Sequence, residues 1–236
     1  MTTEQRSNEF GQPIGRAVSW EPRPQVEPVT LVGEHVRLEP WSRRFLEDLY
    51  ASTVQGSPAS SWTYLDTPSL ESAEGLGAWL DGLDADPGAV PLVICRPDGR
   101  AVGTASYLRL DARNGSVEVG AICFAAELQR TAAATEAMYL MMRHAFDTLG
   151  YRRYEWKCDS LNEPSRAAAR RLGFRFEGVF RNAVVYKGRN RDTEWLSITG
   201  EEWPQVRSAL EEWLAPENFE DGRQVRSLSQ IMGRLA

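Results

Sequence analysis

The chain has 236 residues, 42% of them apolar, with eight Trp and a net charge of −6. That is enough apolar surface for a sizeable core in one domain or two small ones, and the acidic balance weighs against nonspecific nucleic-acid binding. Three cysteines (Cys95, Cys123, Cys158) without a CxxC pair, and no apolar run of membrane-spanning length, predict a soluble cytoplasmic protein without a structural metal site.

Residues 1–28 read as an irregular N-terminal arm. Pro13, Pro22, Pro24 and Pro28 fall there, and only Ile14, Val18 and Trp20 offer anchors. Alternation of Val36, Leu38 and Pro40 with His35, Arg37 and Glu39 predicts a first strand over 31–41. Ser42 is placed to cap a helix through Phe45, Leu46, Leu49 and Tyr50. A second helix is expected from Ser69 or Leu70 to about Leu80. Strands over 91–95 and 100–110 flank the turn Pro97-Asp98-Gly99. A fourth strand spans 116–124, with Val117, Val119 and Ala121 alternating against Glu118, Gly120 and Ile122.

The next helix is announced by Met138, Met141, Met142, Ala145, Phe146 and Leu149, spaced as one buried face, and Gly150 supplies its stop. The methionine stripe is core packing. A strand over 153–158, a helix from Asn162 to Leu172-Gly173, strands over 174–185 and 192–199, and a helix over 201–214 complete the domain. Residues 215–236 form a tail, with a short helix within 224–235. This order is α/β with a mixed, mostly antiparallel sheet of about seven strands. Its one strand–helix–strand unit, 116–158, needs a parallel crossover.

The chemistry concentrates between Leu128 and Phe174. The turn Gln129-Arg130-Thr131-Ala132-Ala133-Ala134-Thr135 opens a helix with small residues. Free backbone N–H groups and the positive dipole end of a helix suit a diphosphate there. Residues 129–191 carry a net +7 and the remainder −13, which places positive charge beside that turn. Downstream stand Asn162-Glu163-Pro164-Ser165 and Leu172-Gly173-Phe174.

These motifs resemble the GNAT acetyltransferase superfamily, whose phosphate turn reads Gln/Arg-x-x-Gly-x-Gly/Ala. The branch around the ribosomal-protein N-terminal acetyltransferases is the nearest, through Asn-x-x-Ser followed by Leu-Gly-Phe. Ala132 stands at the usual first Gly, so the backbone there must already be helical. The resemblance covers about residues 30–214 and implies a GNAT fold over 29–214. It also implies acetyl-CoA as cofactor and N-acetyltransferase activity on a primary amine of a small molecule, amino acid or peptide N-terminus. A biosynthetic relative with another acyl group or acceptor, or a silent acyl-CoA-binding module, is the alternative. No nucleic acid, membrane or metal partner is expected, and the protein is expected as a monomer or homodimer.

By the same resemblance, the main-chain amides of Ile122, Cys123 and Phe124 would polarise the thioester, and residues 129–135 would hold the diphosphate. Asn162 and Ser165 would lie beside the pantetheine, with Ser165 as proton donor to the sulfur. The Tyr that many members use for this is replaced by Ala169. Glu118 is the candidate base. Trp62, Tyr64, Tyr107, Ala121 and Tyr186 are the candidates for the acceptor pocket. Relatives carry Gly-His where Gly120-Ala121 stands, and Tyr-Gly-Pro-Phe where Asp66-Thr67-Pro68-Ser69 follows Trp62-Thr63-Tyr64-Leu65. His144 lies late on a packed helix, and His35 is expected far from the cofactor turn.

Overall fold

The computed structural model describes residues 7–67 and 71–235. Among them, eight strands form one sheet in the order β1-β2-β3-β4-β5-β6-β8-β7. In chain order these are β1 (Leu31–Val32), β2 (Arg37–Pro40), β3 (Ala89–Cys95), β4 (Ala101–Asp111), β5 (Ser116–Phe124), β6 (Arg153–Asp159), β7 (Arg175–Tyr186) and β8 (Arg189–Thr199). Every neighbouring pair is antiparallel except β5 with β6, the parallel pair that the strand–helix–strand unit requires. The sheet has eight strands rather than about seven because the expected first strand is two.

The reason for that split lies a hundred residues away. The Glu136 carboxylate accepts hydrogen bonds from the backbone N–H of Glu34 (2.8 Å), His35 (2.7 Å) and Val36 (3.0 Å). These amides turn inward and leave the ladder. Gly33 makes room: a Cβ there would lie 2.4 Å from the Glu136 Cδ.

Helices cover both faces. On one side lie α1 (Leu46–Leu49) and α2 (Ala73–Asp84). A 3-10 turn (Arg43–Phe45) leads into α1, and a π-helical stretch (Tyr50–Gln55) continues it. Ser42 precedes the 3-10 turn without a side-chain cap. The expected start of the second helix, Ser69 or Leu70, lies outside the described residues. The helix begins at Ala73, capped by Ser72 Oγ on the Gly75 N–H, and runs to Asp84 rather than Leu80. Trp41, Phe45, Leu49, Trp62, Leu76 and Leu80 form the core on this side.

On the other side lie α3 (Ala132–Arg143), α4 (Glu163–Arg171) and α5 (Trp203–Leu214). Met138, Met141, Met142, Ala145 and Phe146 are buried there, as the stripe predicts. Beyond α5 the chain forms a small hairpin, β9 (Phe219–Glu220) and β10 (Arg223–Gln224), and then α6 (Leu228–Leu235), whose Leu228 and Ile231 join the main core. The N-terminal arm is tied down as well. Trp20 Nε1 donates to the Arg113 carbonyl at 2.8 Å, and Val26 is buried in the same core. No helix among the described residues is long and apolar enough to cross a membrane.

The feature that positions the site is a gap in the middle of the sheet. The β5–β6 ladder runs from Ser116↔Arg153 to Val119↔Trp156 and stops. Beyond it, β5 pairs only with β4. There the register jumps from Ser106↔Gly120 to Thr104↔Cys123, so Ala121 and Ile122 together face Ala105. That is a β-bulge with Ala121 at φ +48°, and a bulge bends its strand. The alternation expected through Ala121 and Ile122 is broken there, and β5 and β6 part.

Candidate active site

A cavity of about 2020 Å³ fills the gap and extends along the open ends of α3 and α4. That is more than the usual pocket for a drug-sized ligand, and it suits a long one. Its lining includes the cofactor candidates Ile122, Cys123 and Phe124 on β5, Gln129, Arg130, Thr131, Ala132, Ala134 and Thr135 at α3, and Asn162 and Ser165 at α4. Glu118, Ala121 and Tyr64 line it too.

The α3 end of the cavity is built as a helix opening. Arg130 adopts φ +62° and turns the chain into α3. Thr131 caps the helix: its Oγ1 accepts from the Ala134 N–H at 3.1 Å and donates to the Leu128 carbonyl at 2.6 Å. Of the orphan amides of the first turn, those of Ala132 and Ala133 precede the intrahelical ladder and have no protein acceptor among the described residues. The Ala133 side chain is buried in the core and does not line the cavity; its amide, the group expected to serve there, belongs to the turn.

Arg171, near the end of α4, aims at the same helix opening. Its Nη1 donates to Thr135 Oγ1 at 3.1 Å and its guanidinium lies 4.7 Å from the centroid of the Trp213 ring. Burial pulls this guanidinium below its ordinary pKa, and it makes no salt bridge among the described residues. A half-buried cation without a counter-ion, beside free helix amides, fits an anionic ligand. Trp213 and the β9–β10 hairpin wall off this end.

Where β5 and β6 part, Ser165 accepts from Trp156 Nε1 at 2.9 Å through Oγ. The Ser165 side chain also hydrogen-bonds the neighbouring Cys158 thiol. Asn162 Oδ1 caps α4 by accepting from the Ser165 N–H at 3.2 Å. Burial raises the neighbouring Cys158 thiol above its ordinary value, so it stays protonated at neutral pH.

On the other face of the gap, Glu118 is only 4% exposed and is not alone. Its Oε2 takes Arg109 Nη1 at 2.6 Å and Lys157 Nζ at 2.9 Å. Lys157 also reaches Glu155 Oε2 at 2.8 Å and sits 3.8 Å from the Trp195 ring centroid. Burial would raise the Glu155 carboxyl, but hydrogen bonds from Arg153 and Lys157 hold it below its ordinary value. Glu118 Oε1 is left facing Gly120, where a Cβ would stand 3.3 Å from it.

Three acceptor candidates lie elsewhere. Tyr107 points through the sheet to α3; it is fully buried, and its hydroxyl donates to the Met141 carbonyl at 2.8 Å. Trp62 is buried under α2, edge-on to Trp79, with Nε1 donating to the Thr53 carbonyl at 3.3 Å. Tyr186 turns from the cavity and donates to Asp159 Oδ2 at 2.7 Å; burial and this bond push its hydroxyl up to about 12. Tyr64 alone of these four aromatics lines the cavity, donating to the Leu161 carbonyl at 3.2 Å. His35 also corrects its expected place: the Glu136 contact brings it to the cavity wall.

The family model described as "Acetyltransferase (GNAT) domain" matches residues 35–175, more than half of the chain. The chain belongs to the GNAT acetyltransferase family. A GCN5-related N-acetyltransferase from Brucella melitensis is 39% identical, with a TM-score of 0.88 over 91% of this chain and 99% of that one. A GNAT-family structure from Chromobacterium violaceum ATCC 12472 is 35% identical, with a TM-score of 0.76 over 84% of this chain and 100% of that one. YdaF of Bacillus subtilis (strain 168), a protein named for ribosomal N-acetyltransferase activity, is 31% identical over 106 residues. That match spans 45% of this chain and 57% of YdaF.

As a GNAT acetyltransferase the chain is an acyltransferase, and members of the family use acetyl-CoA. Sequence reasoning missed Arg171, Trp213 and the β9–β10 hairpin at the α3 end of the cavity, and Lys157 and Arg109 at Glu118. One signal was available for Lys157. In β6, Tyr154, Trp156 and Cys158 point to the α3 side, so Arg153, Glu155, Lys157 and Asp159 share the opposite face. A fully charged strand face in the middle of a sheet calls for paired charges.

Proposed function

We propose that the protein is an acetyl-CoA-dependent N-acetyltransferase acting on a primary amine. The observation that carries this reading is the single cavity in which the open α3 amides, Ser165 and Glu118 meet at the gap between β5 and β6. Bound acetyl-CoA supplies an activated acyl group as a thioester. The amides of Ala132 and Ala133 and the Arg171 guanidinium bind the diphosphate. The β5 backbone beyond Val119 has no β6 partner, so its free amides in the 122–124 segment orient the acyl carbonyl.

Glu118 Oε1 accepts a proton from the amine, directly or through one water, while Arg109 and Lys157 hold Oε2 in place. Ser165 Oγ, fixed by Trp156, donates its proton to the departing sulfur. CoA release from acetyl-CoA across a panel of amines tests the activity. With an accepted amine, Glu118→Gln is expected to lower kcat by roughly 10–1000-fold, with partial recovery at high pH as free amine becomes abundant. Ser165→Ala is expected to cost less, with little pH dependence. Wild-type rates in Glu118→Gln would reject Glu118 as the base.

A further inference from the structure

The buried polar atoms without a hydrogen-bond partner among the described residues include two that are close together. They are Arg191 Nε and Thr193 Oγ1. They stand two residues apart on β8 and therefore on one face of the strand. Thr193 is only 5% exposed. Buried polar groups are almost always satisfied, and two neighbouring exceptions need a cause. Arg191 makes no salt bridge among the described residues; its guanidinium lies over the Tyr186 ring, 5.8 Å from Cζ to centroid. It also lines the cavity, as do Lys157 and Asp159 of the neighbouring strand.

The chemistry of these atoms is specific. A guanidinium and a hydroxyl are a donor set, and the planar fork of an Arg matches a carboxylate through two parallel hydrogen bonds. Asp159, which pairs with Thr193 across the strands, brings the opposite charge to the same corner. Both its oxygens keep acceptor capacity: Oδ1 takes the Leu161 N–H and Oδ2 the Tyr186 hydroxyl. A corner with an unpaired guanidinium beside a carboxylate suits a ligand that carries both charges. It does not suit a polycation, which would meet Arg191, Lys157 and Arg109 in turn. The acidity of the whole chain is no obstacle, because a zwitterion is neutral.

We infer that the acceptor is a small amine that itself carries a carboxylate, of the free amino-acid class, and that Arg191, which lines the cavity, binds that carboxylate. This rests on the acetyltransferase reading above. The test compares free amino acids with their amides, with the matching amines that lack the carboxylate, and with C-terminally amidated peptides. CoA release is the readout. The free acids are expected to be favoured at least tenfold in kcat/KM over the matched amides and amines. Arg191→Gln is expected to bring that ratio close to one, chiefly through KM, and Arg191→Lys to keep part of it. Equal turnover of acids and amides, a preference for amidated peptides, or an unchanged ratio in a folded Arg191→Gln would overturn the inference.

A second measurement separates its failure from that of the acetyltransferase reading. N-acetyl amino acids are titrated into the protein with CoA present, and heat is recorded. Binding in the wild type that weakens at least tenfold in Arg191→Gln supports the carboxylate site even if no amine in the panel is turned over. No binding of any acid overturns it, whatever the activity.

Discussion

The contact between Glu136 and the turn after Gly33 joins α3, the helix that opens onto the cavity, to the first hairpin, and its loss has a size that can be worked out. In Glu136→Gln the single amide oxygen can sit where Oε2 accepts from His35 and Val36, but the NH₂ then faces the Glu34 N–H, donor against donor. A stranded, partly buried donor costs about 1–3 kcal/mol, and two charge-assisted bonds weaken to neutral ones. The expected loss is roughly 2–4 kcal/mol, or a fall of roughly 5–15 °C in melting temperature for a domain of this size. Gly33→Ala should cost a similar amount, because its Cβ would lie 2.4 Å from both Glu136 Cδ and Oε2 and would drive the carboxylate off its three donors. In a Glu136→Ala background that methyl group meets no carboxylate, so Gly33→Ala should then cost little. Guanidinium unfolding followed by Trp fluorescence gives the double-mutant cycle. Effects that add within about 0.5 kcal/mol, or a Glu136→Gln protein that melts within a degree of wild type, would refute this account of the turn.

Arg171→Gln is expected to weaken CoA binding at least tenfold, about 1.4 kcal/mol, without lowering the melting temperature, since the guanidinium is half-buried without a counter-ion; calorimetry with CoA reads it. Burial holds His144 below its ordinary value of 6.5, so the unfolded chain binds its proton first as pH falls. Its contribution to stability is therefore complete above that value and is lost as pH drops from there toward the folded pKa; a His144→Asn variant should show a shallower fall of melting temperature between about pH 7 and 5. Burial pushes the Cys95 thiol up to about 11 and Cys123 up to about 12, and raises Cys158 as well, so all three should be silent to a thiol reagent at about pH 8 until the protein is unfolded. A thiol that reacts in the folded protein would contradict their burial.

Local chemistry carried the reading of much of this protein. The methionine stripe of α3, the stop at Gly150, the capping Asn162 and the bounds of β5 depend on residues within one or two turns of each other, and the structure has them. The helix-opening turn at 129–135 and the segment 162–165 are short and contiguous, so their place in the fold was legible from neighbouring residues.

What escaped was set by partners distant in the chain. Whether an aromatic residue faces a cavity or a core depends on what covers each face of its strand, and so Trp62, Tyr107 and Tyr186 lie away from the cavity while Tyr64 lines it. Arg171 meets Trp213, and Lys157 joins Glu118 to Glu155, only after α4, α5 and the two central strands have assembled. The fold class, the family and the turn that opens α3 were thus written in neighbouring residues, where helix caps, periodicity and small side chains act locally. The split of the first strand, the bulge at Ala121 and the charged wall of the gap were decided by tertiary structure. A carboxylate or guanidinium buried in a folded core takes whatever partner is brought within reach, and that partner lies as much as a hundred residues away.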